Sequence, residues 1–186
     1  SRISLLLIVN FKLRRVLYII LVYLSVVCIS ALSLYWDRTG SLFGIAECLR
    51  RIPWVFLCIY LLLDLKGVKK YHLIRISLSF AFLSHGMASL GFLGINQGHI
   101  DLAMKILSEQ DARLFIIYSG ITDTVIGLML LKGVLTRYVA IIGMIWILFI
   151  VYLSLLTALP DAIFRLGFLF ISIYIISDPR CYQKNN

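Results

Sequence analysis

Acidic residues are scarce in this chain of 186, with 9 Asp and Glu against 18 Lys and Arg, and charge of either sign reaches only 15%. No polar interval is long; the longest runs from Asn96 to Arg113, which leaves no room for a soluble catalytic domain. A phosphate-cradling glycine loop, a nucleophile elbow and an HExxH sequence are all missing. Their absence removes the commonest signatures of P-loop, α/β-hydrolase and zinc-protease chemistry. Cysteine occurs four times, at Cys28, Cys48, Cys58 and Cys181. No two have the two-residue spacing of a zinc or redox motif, and two lie in apolar runs, where free thiols behave as small hydrophobes. No metal ligation and no disulfide is expected.

What is present instead is apolar residue in bulk, at 61% of the chain. A soluble domain cannot bury so much. The apolar runs are continuous rather than alternating, which excludes a β-barrel and makes the chain an all-α, polytopic membrane helical bundle. The formal net charge of +9 would suggest nucleic acid in a soluble protein. Here the basic residues cluster between apolar runs, where membrane topology and anionic headgroups account for them, so the partner is the lipid bilayer and not nucleic acid. The chain opens on Ser1 rather than Met, so its N-terminus is expected to be processed or missing.

Residues 2 to 15 hold Arg2, Lys12, Arg14 and Arg15 around the run Leu5 to Val9, too short to span and expected at the interface. The first span is Val16 to Trp36, uncharged, with Tyr35 and Trp36 as interface anchors. Thr39-Gly40-Ser41 breaks it. Leu42 to Arg51 reads as a short amphipathic surface helix in which Glu47 can pair with Arg51. Pro53 suits the first turn of a second span, Ile52 to Leu65, unless that span begins earlier and absorbs the amphipathic segment. Asp64 sits near its inner end, and the basic loop Lys66 to Lys70 follows.

The third span is Leu73 to Ile95. A short surface helix carrying Leu102, Lys105, Ile106 and Glu109 is expected before the fourth, Leu114 to Leu131, which Arg113 opens. The fifth is Tyr138 to about Ala158, a tight turn follows at Leu159-Pro160-Asp161, and the sixth runs from Ala162 to Ile176. With the N-terminus inside, the outer segments hold Arg38, Arg50, Arg51, Lys105, Arg113 and Arg165. The other twelve of the 18 basic residues fall inside. That bias predicts six transmembrane helices with both termini cytoplasmic.

Two spans carry an ionisable residue near their centres: His85 in the third and Asp123 in the fourth. At about 1.5 Å of rise per residue both lie near the middle of a hydrocarbon core about 30 Å thick. A charged Asp there costs at least ~2.5 kcal/mol on the insertion scale, so a partner or a wet cavity is expected, and His85 is the natural one. Small residues around them, Gly86 on one span and Ser119 and Gly127 on the other, allow close helix packing. Ser84, Thr122 and Thr124 can add interhelical hydrogen bonds. The pair then has two readings, a lock between two helices or a proton-handling or ligand-binding site. His72 and His99 fall at opposite membrane surfaces in this reading, which argues against a haem held by two histidines of one chain. Asp64, Arg75 and Arg165 lie close enough to helix ends to snorkel, and Asp161 can pair with Arg165.

From Leu73 to Ile176 the chain resembles the DoxX-like membrane proteins, compact four-helix units. The residues that carry the likeness are Arg75 and His85-Gly86 on the first helix, Asp123-Thr-Val-Ile-Gly127-Leu-Met-Leu-Leu on the second, and Arg137 before the third. Asp123 stands where Glu is commoner in the family. The resemblance implies a four-helix unit at 73–186 preceded by a two-helix extension at 1–72. Because members of the family are linked to quinone-coupled sulfur oxidation and to oxidative-stress complexes, it also implies an inner-membrane complex subunit with quinone as the cofactor to look for. Its rivals are a small proton-coupled carrier built on His85 and Asp123, and a non-catalytic assembly protein.

Overall fold

A computed structural model describes residues 2–39, 43–62, 68–92, 97–157 and 159–178. Among them are seven helices and no strand: α1 (Arg2–Thr39), α2 (Phe43–Leu62), α3 (Val68–Ser89), α4 (Gln97–Ala103), α5 (Glu109–Lys132), α6 (Thr136–Thr157) and α7 (Leu159–Ser177). Three segments of the described residues are long and apolar enough to cross a bilayer, Leu13–Ser33 of α1, all of α5, and Thr136–Leu155 of α6. Arg165–Ser177 of α7 is a shorter apolar helix, and α2 and α3 are too polar to qualify on composition.

The helix boundaries correct several expectations. No interfacial piece separates from the first span, because neither proline nor glycine interrupts residues 2–39, and α1 runs unbroken for 38 residues. The amphipathic segment and the second span are likewise one helix, with Pro53 in its interior rather than its first turn. A proline there removes one backbone bond, and its own carbonyl is put to use by α3. Helix α3 ends at Ser89, because Gly91 turns the chain at φ +76, well before Ile95. Helix α4 is complete by Ala103, and Lys105 and Glu109 lie outside it. Helix α5 starts at Glu109, four residues before Arg113, because Ser108 caps it by accepting from the Asp111 backbone N–H at 3.3 Å. Leu159 and Pro160 already belong to α7, where a tight turn was expected. The expected roles of Asp64, Cys181 and the pairing partners Glu47 and Asp161 fall on groups outside those described.

Helix α3 sits at the centre, packed against α5, α2 and α7, while α1 packs on α2 and α6 on α7 and α5. Leu78, Leu130 and Ile175, from α3, α5 and α7, are fully enclosed. The polar groups of α3 explain its failure as a lipid-facing span. Ser77 Oγ donates to the Pro53 carbonyl at 2.8 Å, and Ser79 Oγ donates to the Gly127 carbonyl at 2.7 Å. Arg75, 9% exposed, does not snorkel; its Nη1 donates to the Leu130 carbonyl at 2.8 Å, at the C-terminal end of α5. That end closes on Gly133 at φ 76, and a Cβ there would collide with the Arg75 guanidinium. Ser84, Thr122 and Thr124 bond carbonyls of their own helices, to Ala81, Tyr118 and Gly120, so the interhelical bonds come from Ser77 and Ser79 instead.

The outward faces are apolar. Ile19, Tyr23 and Ile29 on α1, Ile121 and Val125 on α5, and Ile142 and Ile145 on α6 are all exposed, as lipid-facing residues must be. The α3–α5 seam is the tightest contact. A Cβ on Gly86 would overlap the Thr124 hydroxyl and approach the Thr124 nitrogen to 2.8 Å. Gly86→Ala is therefore expected to cost about 1–3 kcal/mol by forcing backbone apart, read as a lower unfolding midpoint in detergent. A midpoint equal to that of the parent protein would refute this account of the seam.

Candidate functional site

A cavity of about 260 Å³ opens between α3, α4, α5, α6 and α7. Its walls are mainly apolar, with Phe82, Phe115, Trp146 and Phe149 as the large rings, and Phe149 meets Phe115 and Trp146 in tilted or edge contacts. His85, Ser119, Asp123 and Arg165 bring polar atoms to the same walls, so the two ionisable residues singled out in the sequence do share one space.

Their direct partners differ from the expected ones. No His85–Asp123 hydrogen bond occurs among the described residues. Trp146 Nε1 donates to Asp123 Oδ1 at 2.8 Å instead. This contact answers the desolvation of a carboxyl on an apolar wall, because an indole N–H has no acceptor in hydrocarbon unless one is built in. His85 lies beside His99, with ring centroids 6.3 Å apart and the planes 22° from parallel. The reason is the early end of α3. His85 is the eighteenth residue of a 22-residue helix rather than its midpoint, so it lies under α4, which carries His99. His99, expected at a membrane surface, and His85, expected at mid-depth, are thus neighbours.

Arg50 of α2 completes the cluster, its Nη2 lying 2.6 Å from His99 Nε2. A guanidinium only donates, so Nε2 is the acceptor and the His99 ring proton is on Nδ1. Arg50 and Arg165 both act electrostatically on His85, and Arg165 also acts on Asp123. His85 and Asp123 are half-buried, and both line the cavity. The chain of polar groups runs Arg50, His99, His85, then across the cavity to Arg165 and Asp123.

One polar group is left over. Ser119 is 6% exposed and among the residues lining the cavity, and its buried hydroxyl has no hydrogen-bond partner. A buried hydroxyl in that state costs ~1–3 kcal/mol relative to a satisfied one, which makes it a ready donor for whatever occupies the space. Of the other predicted residues, Gly86 and Gly127 lie on the α3–α5 seam, Ser84 bonds within α3, Arg75 ties α3 to the end of α5, and Thr122 bonds within α5. None of these lines the cavity. Sequence reasoning missed Trp146, His99, Arg50 and Arg165 as site residues. The signal for Trp146 was an indole donor placed inside an apolar span.

With its described residues all helical and three of the helices long and apolar enough to cross a bilayer, the chain is an integral membrane protein. Residues 71–155 match the family model described as DoxX. No curated protein and no solved structure matches the chain. Trp146→Phe, which keeps the ring and deletes the donor, is expected to lower stability by about 1–3 kcal/mol by stranding the Asp123 carboxyl. Adding Asp123→Leu is expected to recover most of that loss, because no polar group then remains to be satisfied. Thermal unfolding of the single and double variants measures both, and additive losses would contradict the pairing.

Proposed function

We propose that the chain is a six-helix subunit of an inner-membrane complex, with both termini cytoplasmic, that binds a quinone in the cavity and serves quinone-linked redox. The unpartnered, buried Ser119 hydroxyl on an aromatic-walled cavity inside the membrane domain carries this reading. A quinone is a flat ring with two carbonyl acceptors; a reduced quinone presents two hydroxyl donors. Ser119 can donate to the first form and accept from the second, Asp123 can accept from the second, and the rings of Phe82, Phe115, Trp146 and Phe149 suit a planar guest. The volume lies just below the ~300–1,000 Å³ of ordinary ligand sites, enough for a ring and not for a large ligand.

Six spans are supported by the inward-turned polar groups of α3, since a helix whose Ser77, Ser79 and Arg75 are satisfied by neighbours need not be apolar to cross. The count of basic residues supports the orientation, and reporters fused to either terminus are expected to read cytoplasmic. The exchangeable part of the function falls in the four-helix unit at 73–186, with 1–72 as its extension.

A second reading is a proton-coupled carrier. The His99–His85 stack beside Asp123 favours it, as does a volume that would hold about eight waters at ~30 Å³ each. Two measurements separate the readings. Native-membrane purification is expected to recover partner subunits and extractable quinone, and a fully substituted short-chain quinone is expected to quench Trp146 fluorescence saturably. Ser119→Ala is expected to weaken that binding about fivefold, and Ser119→Leu, which fills the cavity, by more than tenfold. A lone protein with no quinone and no quenching would sink the leading reading. In liposomes the carrier reading requires a proton or solute flux that His85→Ala or Asp123→Ala abolishes; equal flux in those variants removes it.

A further inference from the structure

Helices α1 and α2 share an extensive interface, and two cysteines meet on it. Cys28 on α1 is 8% exposed, and its thiol donates to the Cys48 backbone carbonyl on α2 at 3.8 Å. Cys48 is half-buried, and both sulfurs are free. The residues are 20 apart in sequence, so helix packing and not a local motif creates the pair. Neither lines the cavity, which sets the pair apart from the proposed quinone site. The Cys28 sulfur thus rests against the backbone of Cys48, and a disulfide, whose Cβ atoms stand ~3.8 Å apart, needs its two residues brought that close, with side-chain rotation to swing the second sulfur in.

We infer that Cys28 and Cys48 form a dithiol–disulfide pair, oxidised by exchange with a small-molecule disulfide of the glutathione class, and that closure ties α1 covalently to α2. Cys48, the more exposed sulfur, attacks the small disulfide as its thiolate, forming a mixed disulfide and expelling one thiol. Cys28 then attacks the Cys48 sulfur and expels the second thiol. Two protein S–H bonds and one small-molecule S–S bond become one protein S–S bond and two small-molecule thiols, so electrons and protons balance. The tie matters because, among the described residues, α2 is the one helix with which α1 makes extensive contact. With the pair reduced, α1 is held by packing alone; with it oxidised, α1 cannot leave.

The test uses the full chain in nanodiscs, equilibrated with glutathione buffers from fully reduced to fully oxidised, acid-quenched, alkylated and digested with trypsin. Peptide 16–38 linked to peptide 39–50 is expected to accumulate with the oxidised fraction and to vanish on return to the reduced buffer. Cys58 is expected to stay alkylatable throughout. Oxidation is also expected to raise the Tm of the parent protein by several degrees, and neither Cys28→Ser nor Cys48→Ser is expected to show that rise. The inference is overturned if both thiols remain alkylatable in the most oxidising buffer, or if the linkage formed involves Cys58 or Cys181. Failure of quinone binding leaves this outcome unaffected, because the pair and the cavity share no residue.

Discussion

A polar side chain carried into a bilayer cannot turn to water, so its partner must come from the protein itself, and the arrangement of this chain follows from where α3 finds those partners. Ser77 takes a carbonyl of α2, while Ser79 and Arg75 take carbonyls of α5. Each bond forces a neighbour close and fixes its height along α3. Close approach in turn demands glycine at Gly86 and Gly127, where a side chain on one helix would meet Thr124 or Leu83 of the other. The outer faces of α1, α5 and α6, which carry no such obligation, are apolar. A polar centre and apolar periphery are thus one solution to one solvent problem.

The cavity obeys the same rule with one exception. Trp146 answers Asp123, and Arg50 answers His99. Arg165 places a fixed positive charge near both His85 and Asp123. Ser119 alone remains unanswered on the wall. Of the buried side-chain atoms without a hydrogen-bond partner among the described residues, the Ser119 hydroxyl is the one on a residue of the cavity wall, and the simplest account is a group that arrives from outside the chain.

Much of this could be read in the residues, and what could not has specific causes. Continuous apolar runs announce α1, α5 and α6, and the depth of Asp123 in its run places it in the membrane interior. The partner of Asp123 was misread because depth was reckoned for a span running from Leu73 to Ile95, whereas α3 runs from Val68 to Ser89. Gly91 shortens it, which moves His85 away from mid-helix and toward His99. A helix end costs little to misplace by a few residues in an amphipathic soluble helix. In a membrane helix the same error moves a residue by several ångströms in depth and changes its partner. The meeting of Cys28 and Cys48 was invisible for another reason: local spacing registers motifs, whereas this pair exists only once two helices are docked.

Helix α2 shows how far the family unit depends on what precedes it. The DoxX match begins at residue 71, yet α2 supplies the carbonyl that receives Ser77 and the guanidinium that holds His99. It also carries Trp54, whose ring packs tilted against Phe168 of α7 with centroids 5.2 Å apart, and Phe168 is part of the cavity wall. Packing therefore crosses the boundary that resemblance draws near residue 73. If α1 is in turn held through α2, a covalent closure at Cys28 and Cys48 would reach the cavity by a short physical route. That route runs from Cys48 through two residues of α2 to Arg50, and from Arg50 to His99 beside His85. Through it, the N-terminal helices add to the domain a means of steadying one wall of its site.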